Sequence, residues 1–499
     1  MVSAQPFPRL TSAEIDGRTQ NIRYRQTQFH RLQTTLALHI ERLKEAIQTD
    51  SGHSTEEIQA EICLAFKEIR THYLSLDLEK DVEAEYRVVH GKDNVDGKRG
   101  TGIVYIVPCT HTMFFSVISA MSAAIAAGNC VIVELTKNTM ALPAVLRKIL
   151  PQSLDNDAFA ISEERPDPSF LSKVFTIFQN DSSDFLSEKR LVSPINDRTV
   201  AVVDRTANIP EAAQALVGSR FAFGGRSPYS PDVVLVHEFA IKAFAEAVIQ
   251  HSSKYLAGQN GEARQTEGTT RRSSPGPSLL DAAQRDQGVR VLVSGTSWGV
   301  IEVQDRYELF FFFFFAVKMA DQNRASPLLR KKVNEKVLLL HTITSLDDAI
   351  DLSNSNETLA ATYAFAAHPA AKYLTQFIDS RMSWINHVSS EMLIGPTSPT
   401  NTTPNLETRY STSLLQVPRP QIVKETSNAA LVRAILETSN SKNGRALWNE
   451  TIAPLPPTRQ KAGWKIGFFE QGIITGGVIF LTTVSMLGYY AFTYARRLR

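Results

Sequence analysis

Between Gly102 and Leu135 the chain reads as strand, helix, strand. GIVYIVP is a continuous apolar run ending in proline, the pattern of a strand covered on both faces. SVISAMSAAIAAGN is a helix of small residues, stopped by Gly128 and Asn129, which suit a helix C-terminus. VIVEL is a second buried strand. Two such strands joined through a helix make a right-handed βαβ unit in a parallel sheet. The fold class is therefore α/β.

A second stretch, Val217 to Glu238, carries the densest local information. Ala212 to Phe221 has helical apolar spacing, and Val233 to Val236 reads as a short buried strand. Between them Gly224-Gly225 makes a tight turn where backbone can approach a ligand or another segment. Pro228 and Pro231 stiffen the approach to the strand. Helix, glycine turn and buried strand can present one reactive side chain. A plain helix-to-strand connection has the same pattern.

At 499 residues the chain can bury a large core and form more than one domain. Lys+Arg 53 against Asp+Glu 51 gives a net charge of +2, which offers no electrostatic case for nucleic acid. Cys63, Cys109 and Cys130 are too few and too scattered for a disulfide framework or a metal site, so a reducing compartment is expected. MVSAQPFPRL has no apolar core, so no secretory signal is expected. Asn180, Asn356, Asn401 and Asn449 form sequons that matter only in an oxidising lumen.

From Gln471 to Ala495 no residue is charged, enough helix to cross a hydrocarbon core of ~30 Å. Tyr489, Tyr490 and Tyr494 suit an interfacial belt, and Arg496, Arg497 and Arg499 a basic stop. The expectation is a single-pass tail anchor with a cytosolic body; a buried core helix is the alternative.

These stretches resemble the aldehyde dehydrogenase superfamily, in its class 3, fatty aldehyde branch. Phe221, Gly225, Pro231, Asp232, Val234, Leu235 and Val236 fall in register with the nucleophile loop F-x-N-x-G-Q-x-C-x-x-P-D-Y-V-L-V. The Gly102–Lys137 stretch resembles the family's cofactor domain. The resemblance implies a Rossmann-type cofactor domain, an α/β nucleophile domain and a C-terminal transmembrane helix. The layout it implies is 1–199 for the N-terminal helices and cofactor domain and 200–394 for the nucleophile domain, with a flexible insertion at 258–290. An irregular segment at 395–463 and an anchor at 464–499, spanning about 472–494, complete it.

The family's chemistry maps onto altered residues. Pro228 holds the position of the cysteine nucleophile, and proline has neither thiol nor N–H. Pro194 holds that of the general base, with Glu188 or Asp197 as a stand-in or a solvated charge. Thr110 holds that of the oxyanion-binding Asn. The family's K-P-S-E, whose Lys and Glu bind the ribose, corresponds to Glu134, Leu135, Thr136 and Lys137, with the charges exchanged. A carboxylate at Glu134 can accept from ribose hydroxyls and repels a 2′-phosphate, so NADP is disfavoured and NAD is left as what the resemblance implies. Ile177 replaces a glycine that lets phosphate approach, and Lys332–Glu335 replaces the nicotinamide-ribose motif. Cys109 is either a relocated thiol or a structural one. The resemblance implies NAD-dependent oxidation of a hydrophobic aldehyde. The alternative is a membrane-tethered pseudoenzyme, a scaffold or a homodimer or heterodimer partner of an active relative. Phe310–Phe315, six phenylalanines, reads as a buried strand or an aggregation-prone run.

Overall fold

The computed structural model describes residues 6–180, 189–262, 279–285, 288–295, 297–304, 306–312, 315–321, 326–355, 357–438, 442–459 and 467–497. The chain divides into two compact units, Met1–Val423 and Lys424–Arg499.

Five helices open the first unit: α1 (Pro8–Asp16), α2 (Ile22–Leu38), α3 (Ile40–Ser51), α4 (Thr55–Leu74) and α5 (Leu78–Tyr86). Thr11 and Ser12, helix caps by residue type, lie inside α1. Proline at its first position begins the helix at Pro8, and both hydroxyls bond back to carbonyls four residues earlier. α4 starts with a capping box between Ser54 and Glu57. Its buried stripe Ile58, Ile62, Ala65 and Ile69 recurs at helical spacing.

After β1 (Lys98–Gly100) comes the βαβ unit: β2 (Ile103–Val107), α6 (Met113–Ala126) and β3 (Cys130–Glu134). All 14 residues of α6 are buried, because the helix is enclosed between the sheet and α4. Gly128, at φ +86°, ends it. α7 (Ala141–Ser153), β4 (Phe159–Ser162), α8 (Pro168–Leu171), β5 (Phe175–Phe178) and β6 (Arg190–Val192) complete a parallel sheet of order β4-β3-β2-β5-β6. Its order reverses between β2 and β5, the place where such sheets take ligands.

The second sheet takes in β7 (Thr199–Val203), α9 (Ile209–Phe221), β8 (Val233–His237), α10 (Ile241–Glu262), α11 (Leu279–Arg285), β9 (Val289–Ser294) and β10 (Trp298–Val303). A hairpin follows, β11 (Arg306–Phe312) and β12 (Phe315–Asp321), then α12 (Pro327–Arg330), β13 (Lys336–Ile343), α13 (Leu346–Ser353), β14 (Ala361–Phe365), α14 (His368–Phe377) and β15 (Ser383–Ile385). The order is β15-β14-β7-β8-β13-β10-β9, parallel except for β9 on β10. β16 (Gln416–Pro418) then pairs antiparallel with β1.

Three stretches of the chain take the following form. The 258–290 stretch, read as a flexible insertion, contains the end of α10 and all of α11, whose Leu279 and Ala283 are buried; 263–278 and 286–287 lie outside the described residues. The phenylalanine run is divided between the strands of the hairpin, with Phe313 and Phe314 outside the described residues. The segment after 395, read as irregular, holds two helices of the second unit, α15 (Ser427–Thr438) and α16 (Lys442–Thr451). Both are short, and their Leu and Ile spacing covers barely three turns. α17 (Phe468–Arg497) follows and includes a 22-residue apolar stretch, Glu470–Ala491, long enough to cross a membrane.

Candidate active site

The turn between α9 and β8 is held by charge. Phe223, Gly224 and Gly225 all adopt left-handed backbone, with φ of 50°, 70° and 69°. A Cβ on Gly225 would stand 2.5 Å from the carbonyl oxygen of Glu335, so this glycine lets another chain segment approach. Arg220 is fully buried and donates to the carbonyls of Gly225, Val333 and Glu335 at 2.5, 2.6 and 2.6 Å. Burial lowers its pKa to about 10, opposed by Asp232 and Glu335. Asp232 accepts from the amides of Thr199 and Val333 at 2.7 and 2.9 Å and from Lys332 Nζ at 3.1 Å. Lys332 Nζ also donates to the carbonyl of Pro228 at 2.6 Å, and Thr199 Oγ1 donates to the same oxygen at 3.0 Å. Burial lowers the pKa of Lys332, again opposed by Asp232. Pro228 itself is buried.

The other expected positions meet at one strap of chain, Leu393–Ser398. Thr397 Oγ1 donates to the Pro194 carbonyl at 2.7 Å, and the Ser398 amide donates to Tyr229 Oη, next to Pro228, at 2.9 Å. Thr110 is exposed, but the two residues after it are tied to the strap. His111 Nε2 donates to the Leu393 carbonyl at 2.9 Å, and the Gly395 amide donates to Thr112 Oγ1 at 2.7 Å. The Arg409 guanidinium lies 5.9 Å from the Phe115 ring and 5.8 Å from the Tyr229 ring, and it donates to the carbonyls of Pro396 and Ile394. Residues from both sheets thus converge on a filled seam. Of the proposed stand-in bases, Asp197 is paired with Arg381 at 2.8 Å, and Glu188 lies outside the described residues.

Cys109 follows β2 at the point where the first sheet reverses its order. Its thiol is buried, 3.0 Å from Ser116 Oγ and 3.1 Å from the His111 carbonyl. Burial pushes it up to about 11. Nearby, Glu61 of α4 accepts from the Phe115 amide at the start of α6, and burial raises its carboxyl to about 7. His53 and His111 meet the Phe223 ring edge-on at 5.4 and 6.2 Å. Burial lowers both histidines, His111 to about 4.

Of the cofactor residues expected, Glu134 is occupied by the protein itself. Tyr105 Oη donates to it at 2.6 Å, and Arg165 donates to both of its oxygens at 3.1 and 3.0 Å. Lys137 pairs with Glu163 at 2.5 Å, and Thr136 is exposed. Ile177, which replaces the family's phosphate-approach glycine, lies within β5, fully buried between β2 and β6. The residues present do not fit a dinucleotide held as the resemblance implies.

No family model matches the chain. It is 22% identical over 377 residues to aldehyde dehydrogenase family 3 member B1 of Rattus norvegicus, covering 70% of this chain and 75% of that one. It is 22% identical over 403 residues to the 4,4'-diaponeurosporen-aldehyde dehydrogenase of Staphylococcus aureus, covering 76% and 83%. Among solved structures, substrate-bound Staphylococcus aureus AldH matches with a TM-score of 0.61 at 18% identity, over 84% of this chain and 94% of that one. The chain has the aldehyde dehydrogenase fold and is similar in sequence, at low identity, to family 3 aldehyde dehydrogenases.

Within this fold the amino-acid sequence alone did not reveal the buried charges Arg220 and Lys332 or the strap. One signal was available: Lys332 opens the Lys332–Glu335 stretch that stands where the family has its nicotinamide-ribose motif. Among the described residues no group of three His, Cys, Asp or Glu side chains could hold a metal.

Proposed function

We propose that this aldehyde dehydrogenase relative is a membrane-tethered pseudoenzyme, a scaffold or dimerisation partner that does not oxidise aldehydes through a thiol. The observation that carries the reading is the bond from Lys332 Nζ to the Pro228 carbonyl at 2.6 Å. The residue at the nucleophile position has no thiol, and an ammonium engages its backbone from inside the protein. The Glu134 carboxylate, already engaged by Tyr105 and Arg165, and the buried Ile177 support the same reading for NAD. The apolar stretch of α17 supports the tether.

A relocated thiol at Cys109 would need to ionise and to meet substrate. Its burial and raised pKa oppose both. The test is aldehyde-dependent NADH formation by the purified full chain with a long-chain aldehyde, paired with calorimetry of NAD binding. No turnover and no binding heat are expected. Turnover that Cys109→Ser abolishes would overturn the proposal.

A further inference from the structure

The pairing of α15 with α16 does not use up their apolar faces. Leu431, Ala434 and Ile435 are half-buried, but Ala429, Val432 and Leu436 form a second stripe at spacings of three and four that faces water. Leu436 is 75% exposed, and on α16 Trp448 is 56% exposed. The chain leaves α16 through Ile452 and Leu455, also exposed. Apolar side chains of this size, grouped in water, mark a contact surface.

We propose that the α15–α16 pair lies on a lipid surface, with Val432, Leu436 and Trp448 seated at the boundary between headgroups and acyl chains. The proposal rests on the reading of α17 as a membrane span. Three observations favour lipid over a second copy of the chain. First, α16 ends at Thr451 and α17 begins at Phe468, so the connection can stretch only ~55 Å and the pair cannot leave the bilayer's vicinity. Second, between residues 424 and 470 the sequence has seven Lys and Arg against four Glu and no Asp, a balance suited to anionic headgroups. Third, the exposed tryptophan stands three residues from Arg445, and an indole near a cation belongs at the membrane–water interface.

The full chain, reconstituted into phosphatidylcholine–phosphatidylserine vesicles, provides the test. Acyl-chain-brominated lipid quenches a tryptophan that reaches the bilayer. The emission assigned to Trp448 is the difference between the chain and its Trp448→Phe variant, a change at an exposed position that leaves the fold intact. Most of that emission is expected to be lost on bromination. A polarity-sensitive dye on Leu436→Cys, in a Cys63→Ser background, is expected to shift to the blue when vesicles are added. Unquenched Trp448 emission in a chain that still floats with the vesicles overturns the proposal and leaves the tether standing. Failure to float overturns the tether as well. Copy-to-copy cross-linking through Leu436→Cys without quenching overturns it in favour of self-association.

Discussion

Lys332 Nζ sits between the Pro228 carbonyl and the Asp232 carboxylate, 2.6 and 3.1 Å away. Among the described residues, Asp232 is the acid that pairs with both Arg220 and Lys332, each of them buried. Removing it strands two cations.

Asp232→Ala is therefore expected to cost about 3–5 kcal/mol, the range for breaking a buried ion pair from one side. Hydrogen exchange checks this locally, because the Thr199 and Val333 amides that donate to Asp232 lose their protection. Lys332→Met should cost less, since Asp232 keeps Arg220 and two amides.

Adjacent glycines separate conformation from contact. Gly224 and Gly225 share a left-handed backbone, but a Cβ on Gly224 would find its nearest neighbour at 3.9 Å and one on Gly225 at 2.5 Å. Gly224→Ala should cost about 1 kcal/mol and Gly225→Ala clearly more, from strain plus displacement of the Glu335 backbone. Thermal unfolding of the two variants side by side measures the gap.

Glu61 makes stability depend on pH in an unusual direction. Burial raises its carboxyl from 4.5 to about 7 in the folded chain. The folded state therefore holds the proton more tightly, and this contribution is full below pH 4.5 and is lost as pH rises to about 7. The effect is roughly 3 kcal/mol by linkage. His72 and His111, lowered by burial to about 4, act oppositely and lose stability as pH falls below 6.5. Glu61→Gln should therefore gain stability relative to the parent as pH rises from 4.5 to 8, read as the difference in melting temperature across that range.

Thiol accessibility checks the reading of Cys109. Cys63 is exposed, while Cys109 and Cys130 are buried. A maleimide at neutral pH should modify Cys63 in the folded chain and all three thiols after denaturation, counted by mass spectrometry. Rapid native modification of Cys109 would contradict its burial.

The βαβ unit was legible because Ile103–Val107 and Cys130–Glu134 are buried on both faces, which leaves an uninterrupted apolar run in the sequence. Gly225 was legible as a close-approach position, though what approaches it is Glu335. The burial of Arg220 was not legible, and Lys332 was marked only by its place in an altered motif. A buried cation looks like a solvated one until its partners, over a hundred residues away for Glu335, are brought beside it. The strap was hidden for a related reason. Leu393–Ser398 has no periodicity, and its hydrogen bonds run to loops after β2 and β6 and before β8.

That strap has a mechanical consequence. Because residues within one short strap bond to loops that flank both sheets, separating the two sheets would have to break that whole set of bonds together.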